Sequence, residues 1–261
     1  MKQRAKKSYG QHFLINELVT ERISESLMHA DEYKKVLEIG PGQGVLTKYL
    51  LEKSYELKAV DADRDMIHHL FKRFPEQADL FLLDDCLKLN FFELFGGEEF
   101  CVIGNFPYNI SSQIVFKILK NYNLVPEMVG MFQKEMASRI VAPHGSKTYG
   151  VISVLTQALY NATHLFDIGP EAFNPPPKVN SSVIRLVRKD ETLGCDYKRL
   201  RTVVKMGFSQ RRKMLRNTMK SLVENPELLT EPVFTERPEQ LSLEDFVNLT
   251  NMIFPQSSSD D

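Results

Sequence analysis

Val36-Leu37-Glu38-Ile39-Gly40-Pro41-Gly42-Gln43-Gly44-Val45-Leu46-Thr47-Lys48-Tyr49-Leu50 is the stretch on which the fold turns. A short apolar run stops at Gly40, glycine recurs at alternate positions to Gly44, and apolar residues then return at helical spacing. Strand, tight turn and helix follow one another. Glycine in the turn lets the backbone reverse sharply and lets a ligand approach the main chain with no Cβ in the way. Working outward, Leu57-Lys-Ala-Val60, Leu80-Phe-Leu-Leu83, Phe100-Cys-Val-Ile103, Met128-Val-Gly-Met-Phe132 and Val183-Ile-Arg-Leu-Val187 are further apolar runs of strand length. Helical patterns separate them, one through Met66, Leu70 and Phe71 and another over 112–119. This alternation predicts an α/β fold, an open and largely parallel sheet with helices on both faces.

The pattern changes beyond Val187. Residues 197–208, 212–222 and 243–253 read as helices, and Pro226, Pro232 and Pro238 interrupt the region between the last two. The expected division is one domain over 1–190, a small helical domain over 191–255, and a low-complexity, disordered tail over 256–261. A chain of 261 residues with 43% hydrophobic and 26% charged content can bury such a core and is ordinary for a soluble protein. Cys86, Cys101 and Cys195 form no CxxC pair, so they read as reduced thiols in a cytoplasmic protein, with no disulfide and no zinc site. The basic start, Met1-Lys-Gln-Arg-Ala-Lys-Lys7, leads into Ser-Tyr-Gly-Gln-His rather than an apolar run, which argues against a secretory signal. No stretch approaches the roughly 18 apolar residues of a membrane helix. Net charge is −1, but residues 185–220 carry twelve Lys or Arg against three acids, and residues 1–16 carry four against none. Two basic segments on a neutral protein suit a polyanion of limited footprint, or are simply solvated faces.

Three groups of polar residues fall at strand ends. Asp61 closes the second strand, where an acid accepts hydrogen bonds from ribose hydroxyls in nucleotide-binding α/β folds. Asp84-Asp85 closes the third, and Asn105-Phe106-Pro107-Tyr108 the fourth. The G-x-G-x-G spacing after Glu38 is similar to that of methyltransferases binding S-adenosyl-L-methionine. In those enzymes the acid at the third strand, here Asp85, meets the cofactor's adenine amine. The tetrad resembles the signature of methyltransferases acting on exocyclic amines of nucleobases. Such an amine is a poor nucleophile because its lone pair is delocalised into the ring. Acceptors from Asn105 and from a carbonyl in Phe106–Pro107 would pull the nitrogen toward tetrahedral geometry, and Pro107 fixes the turn. The ring of Tyr108 could stack on an extruded base. No metal is required.

Four further segments narrow the resemblance: Tyr9-Gly-Gln-His12-Phe-Leu14, Tyr108-Asn-Ile-Ser111, Phe173-Asn-Pro-Pro-Pro-Lys-Val-Asn-Ser-Ser182 and Ser209-Gln-Arg-Arg-Lys213. From about residue 8 to 220 the chain resembles the KsgA-type ribosomal RNA adenine dimethyltransferases. The resemblance implies a Rossmann-like S-adenosyl-L-methionine-dependent domain and a small helical RNA-binding domain. It also implies dimethylation of two neighbouring adenosines near the 3′ end of 16S rRNA, late in small-subunit assembly. By position, His12, Leu14, Gly40, Asp61, Asp85 and Asn105 would hold the cofactor, and Phe173 would stack on the adenine opposite Tyr108. Phe106 stands where a Leu is commonest and Asp61 where a Glu is; both keep the chemical character. Arg211, Arg212, Lys213, Arg216 and Lys220 are the candidate RNA contacts, the last turns of them on an amphipathic helix with one basic stripe. The protein is expected to act as a monomer. The competing readings are a large-subunit methyltransferase of the macrolide-resistance type and a catalytically silent assembly factor. A mitochondrial transcription-factor homologue is disfavoured, because no targeting segment is seen before Tyr9.

Overall fold

The computed structural model describes residues 12–255. Lys2, Arg4, Lys6, Lys7, the Tyr9-Gly-Gln part of the first motif and the 256–261 tail lie outside them. The described residues divide into two compact units: residues 12–137 together with Asn161–Arg188, and Ser138–Tyr160 together with residues 189–255. The chain passes between the units three times, after Ala137, Tyr160 and Arg188, so a single cut near residue 190 meets the last of these crossings and misses the first two. Residues 138–160 pack with the C-terminal unit although they precede it by some thirty positions.

In chain order the first unit runs β1 (Phe13–Leu14), α1 (Glu17–Ser24), α2 (Ala30–Tyr33), β2 (Lys35–Ile39), α3 (Val45–Leu50), β3 (Glu56–Asp61), α4 (Arg64–Arg73), β4 (Phe81–Leu83), α5 (Phe91–Leu94), β5 (Cys101–Asn105), α6 (Ser111–Lys120) and β6 (Glu127–Gln133). Helix α7 (Lys134–Ile140) leaves it and α8 (Val151–Leu159) belongs to the second unit. The chain comes back through β7 (Tyr160–Ile168), β8 (Phe173–Asn174) and β9 (Ser181–Arg188). Seven strands form one sheet in the order β4-β3-β2-β5-β6-β9-β7. The neighbours from β4 to β6 are parallel, and β9 runs antiparallel to β6. Val36, Leu37, Val102, Ile103, Met128 and Val129 are wholly buried, as a parallel sheet covered on both faces requires. Each contributes on the order of 1.5–3 kcal/mol of hydrophobic stabilisation.

The strand order places the site. From β2 the chain winds outward to β3 and β4, then returns across to β5 and β6, so the direction of winding reverses between β2 and β5. At such a switch point the loops leaving the carboxyl ends of two adjacent strands part and open a crevice. Here those loops are Gly40–Gly44 and Asn105–Tyr108. The antiparallel β9 begins at this same edge, with Ser181 opposite Gln133 and Ser182 opposite Phe132.

The second unit contains α8, α9 (Tyr197–Gly207), α10 (Leu215–Thr218) and α11 (Leu243–Ile253). Phe208 lies between Tyr149 (6.1 Å, edge-on) and Phe246 (5.9 Å, stacked). Leu200, Val203, Val204, Leu215, Met219 and Phe234 complete its core. Ser242 and Asp245 cap α11 reciprocally, which fixes its start at the position the sequence predicts. The helix expected over 212–222 is not there: only Leu215–Thr218 is helical, after a 3-10 turn at Phe208–Gln210 and an irregular stretch. Leu215, Thr218 and Met219 are buried in that compact turn, so the helical spacing of the apolar residues is satisfied without a continuous helix.

Candidate active site

A cavity of about 300 Å³ opens at the switch point. Gly40, Gly42, Asp61, Asp85, Asn105, Pro107 and Tyr108 all line it, as do Phe13, Ile39, Val60, Ala62 and Leu87. That size and mixture, mostly apolar walls with a few polar groups, suits a nucleoside-sized ligand.

One wall is main chain. Gly40, Gly42 and Gly44 have φ of 73°, 53° and 75°, a region side chains rarely adopt. A Cβ on Gly40 would lie 3.6 Å from the Asn105 carbonyl oxygen and from Pro107 Cδ, and one on Gly42 would lie 3.4 Å from the Phe13 ring. Those are ordinary contact distances, so it is the left-handed φ of the turn that calls for glycine in the cradle. Asp61 ties it down: its Oδ2 accepts from the Gly42 N–H (3.2 Å) and its Oδ1 from the Asp63 N–H (2.8 Å). Beneath the loop Glu38 is 1% exposed and accepts from Thr47 Oγ1 at 2.7 Å. Burial, with a smaller contribution from the charge of Asp61, pushes its pKa up to about 8.

The opposite wall carries two loops. Asp85 closes a tight turn after β4, its Oδ1 accepting from the Leu87 N–H (3.0 Å). Asn105 ends β5, and its Nδ2 donates to the His12 carbonyl (3.2 Å), which leaves Oδ1 as the acceptor this side chain can offer. Phe106 is 1% exposed and packs edge-on against Phe132 at 5.2 Å. Its ring covers Gly104 and Gly130, which face each other on β5 and β6. The larger side chain at this tetrad position is accommodated by that glycine pair. The Tyr108 hydroxyl lies 2.6 Å from Ser181 Oγ, and its ring stacks on His12 at 5.5 Å. His12 is pinned in turn, since its Nδ1–H donates to the Pro175 carbonyl (2.8 Å). Burial raises the Tyr108 pKa above the ordinary phenol value, so the hydroxyl stays neutral.

A family model described as ribosomal RNA adenine dimethylase matches residues 2–253. The chain belongs to the ribosomal RNA adenine dimethylase family. It is similar to a protein of Flavobacterium johnsoniae named ribosomal RNA small subunit methyltransferase A, with 47% identity covering 97% of each chain. The protein of that name from Parabacteroides distasonis is 49% identical over 94% of this chain and 92% of its own. Among solved structures, a dimethyladenosine transferase from Plasmodium falciparum superposes with a TM-score of 0.75 at 26% identity, covering 91% of this chain and 96% of that one. The 23S rRNA methyltransferase ErmE superposes with a TM-score of 0.68 at 22% identity, over 92% of this chain and 99% of that one, a likeness of fold.

As a ribosomal RNA adenine dimethylase the chain is an S-adenosyl-L-methionine-dependent methyltransferase, with a Rossmann-like sheet. The cavity suits that cofactor in size and chemistry: a bare main-chain cradle with the carboxylates of Asp61 and Asp85 in its lining. Of the residues anticipated for the site, His12, Gly40, Asp61, Asp85, Asn105, Phe106, Pro107 and Tyr108 come together around it. Two do not. Leu14 is 5% exposed and faces the core, while its neighbour Phe13 lines the cavity. Phe173, its partner across the β1–β8 ribbon, is 2% exposed in the same core cluster as Ile23, Leu46 and Val183. The ring expected to meet a base opposite Tyr108 is therefore inside the protein, and the ring that does lie on Tyr108 is that of His12. Arg211 is also withdrawn from the anticipated RNA contacts: its guanidinium donates to the Ser146 (3.0 Å) and Lys147 (2.6 Å) carbonyls, within the second unit. Arg212, Lys213, Arg216 and Lys220 are exposed.

Sequence reasoning overlooked Ser181 and the apolar wall of Phe13, Val60 and Leu87. Phe13 stands inside a motif already singled out, but a two-residue strand has no alternation from which to tell its faces. Among the described residues no cluster of His, Cys, Asp or Glu is arranged to hold a metal ion, and no helix is long and apolar enough to cross a membrane.

Proposed function

We propose that this chain dimethylates the exocyclic amines of two adjacent adenosines near the 3′ end of 16S rRNA, late in small-subunit assembly. It would act in the cytoplasm as a monomer, without a metal. The observation that carries the reading is the apposition of the Asn105–Tyr108 loop to the Gly40 cradle at one switch point, in a chain nearly half identical to small-subunit methyltransferases. S-adenosyl-L-methionine, when bound, supplies a methyl group already activated on a sulfonium. What the protein must add is alignment and a more nucleophilic amine. Asn105 Oδ1, free of the bond its Nδ2 makes to His12, accepts an N–H of the amine and holds the nitrogen lone pair out of conjugation. Pro107 keeps the preceding carbonyl aimed at the same place. Tyr108, held by Ser181, presents its ring to the base. The exposed Arg212, Lys213, Arg216 and Lys220 of the second unit are the phosphate contacts of this reading. The large-subunit alternative rests on fold likeness alone, and a catalytically silent factor would have no need of an intact Asn105 and Tyr108.

The test is methyl transfer to small subunits purified from cells lacking this modification, read by primer extension across the 3′ end of 16S rRNA. The parent should stop extension at two neighbouring adenosines. Asn105→Ala should remain folded and bind subunits but transfer almost nothing in a single turnover. Transfer by Asn105→Ala at the parental rate would remove the amine-activating role, and transfer to large-subunit RNA instead would overturn the substrate.

A further inference from the structure

Lys117 has no part in the motifs, yet it is joined to both loops of the opposite cavity wall. It lies two turns into α6, a helix that starts directly after Tyr108, Asn109 and Ile110, all cavity-lining residues. Its neighbours Ile114, Val115 and Ile118 are buried, and Lys117 itself is half-buried. The ammonium donates to the Leu89 carbonyl (2.7 Å) and to the Leu87 carbonyl (3.2 Å), and sits 5.0 Å over the Phe91 ring. These acceptors belong to residues 85–90, the turn that carries Asp85 and, through Leu87, part of the cavity wall.

That turn is tied at its ends. The Asp85 carbonyl accepts from the N–H groups of Lys88 and Leu89, and Asn90 caps α5 by accepting from the Phe92 N–H. Such bonds shape the turn but do not attach it to the body of the protein. Lys117 does, with charge-assisted bonds to two carbonyls 28 and 30 residues away. Burial, and the charge of Lys120, lower the lysine pKa, as desolvation of an ammonium among carbonyls should.

We propose that Lys117 is a positioning residue that holds the Asp85 turn in register for the adenine ring of the cofactor, and so couples the cofactor wall to the target-base loop at the start of α6. The inference rests on the reading of this cavity as the S-adenosyl-L-methionine site. Lys117 touches neither ligand; it acts through the two carbonyls.

The test compares the full-length parent with K117M, which keeps the aliphatic stem, K117R, which keeps a charged donor, and K117Q, whose short amide cannot reach both carbonyls. Calorimetry measures affinity for S-adenosyl-L-methionine and for 5′-methylthioadenosine, which retains the adenosine half alone. Methylation kinetics then separate KM for the cofactor from kcat. K117M should bind both ligands about tenfold more weakly, the scale of one charged hydrogen bond to the adenine ring from a displaced Asp85. Its kcat at saturating cofactor should stay within about twofold of the parent. K117R should regain most of the affinity. K117Q, melting like the parent, should fall between, and it decides the matter if K117M does not fold. A folded K117M or K117Q with parental affinity for 5′-methylthioadenosine overturns the proposal, as does a fall in kcat with KM unchanged. A parent that binds neither ligand would instead refute the cofactor reading of the cavity.

Discussion

The Tyr108 hydroxyl and Ser181 Oγ are 2.6 Å apart, joining the loop after β5 to the first residue of β9. Ser181 is fully buried, so this partner satisfies a hydroxyl that water cannot reach. Tyr108→Phe and Ser181→Ala should each cost about 1–3 kcal/mol of stability where they strand the other group. The double variant should cost less than the sum, by a coupling of at least about 0.5 kcal/mol in urea denaturation. Strict additivity would show that the two hydroxyls do not share a bond. Tyr108→Ala, which also removes the ring, should lose methylation by the worth of stacking one base, roughly 1–3 kcal/mol.

Gly130 makes room for Phe106. A Cβ there would collide with the Phe106 ring and come within 2.8 Å of Phe132 Cε2, and Gly104 on the facing strand is equally closed, at 2.9 Å from Phe106 Cε1. Gly130→Ala should therefore destabilise by about 1–3 kcal/mol through overpacking. Pairing it with Phe106→Leu should recover part of that loss. Equal urea midpoints for Gly130→Ala and the parent would contradict the arrangement.

Glu38 sets a pH dependence of stability. Its folded pKa, about 8, is above the ordinary 4.5 because burial penalises the carboxylate. The folded state thus holds this proton more tightly than the unfolded chain. The stabilisation is fully present below the unfolded pKa, falls as pH rises between 4.5 and about 8, and is gone above that. Glu38→Gln, neutral throughout, should flatten the melting temperature over this window and outlast the parent at its alkaline end. Parallel curves for the two proteins would mean that Glu38 is ionised across the range.

Asp61 does two things at once. It accepts from the backbone of the Gly42 turn and of Asp63, and it faces the cavity. Asp61→Ala should weaken S-adenosyl-L-methionine binding by about 1.5–3 kcal/mol, the value of hydrogen bonds to a charged acceptor. Unchanged calorimetric affinity in a folded variant would take Asp61 out of the cofactor site.

Arg212 and Arg216 are exposed but do not share a helix, so their contribution to RNA binding is best read from salt. Neutralising both should make the dependence of log affinity on log salt shallower by about 0.7–0.9 for each phosphate that is no longer neutralised. Slopes equal to the parent's would make them solvated surface residues.

What the sequence determined alone is what local chemistry can express. Val36–Ile39, Leu57–Val60 and Cys101–Ile103 are largely apolar runs because a parallel strand is buried on both faces, and that pattern is visible within five residues. Gly40 and Gly42 announce a left-handed turn for the same reason, that the requirement acts on each residue's own backbone. The tertiary structure decided the rest. Tyr160–Ile168 is a strand whose polar residues, Asn161, Thr163, His164 and Asp167, show no clean alternation; it is held by its place beside β9. The β1–β8 ribbon joins residues about 160 positions apart through two-residue strands too short to carry a period, so nothing local told Phe13 from Leu14 or turned Phe173 inward. Apolar residues spaced like a helix over 212–222 meet a compact turn instead, in which Leu215 and Met219 are buried beside Gly207 without a continuous helix. Contacts of that range cost the chain entropy that only the assembled core repays, and they leave no period in the sequence.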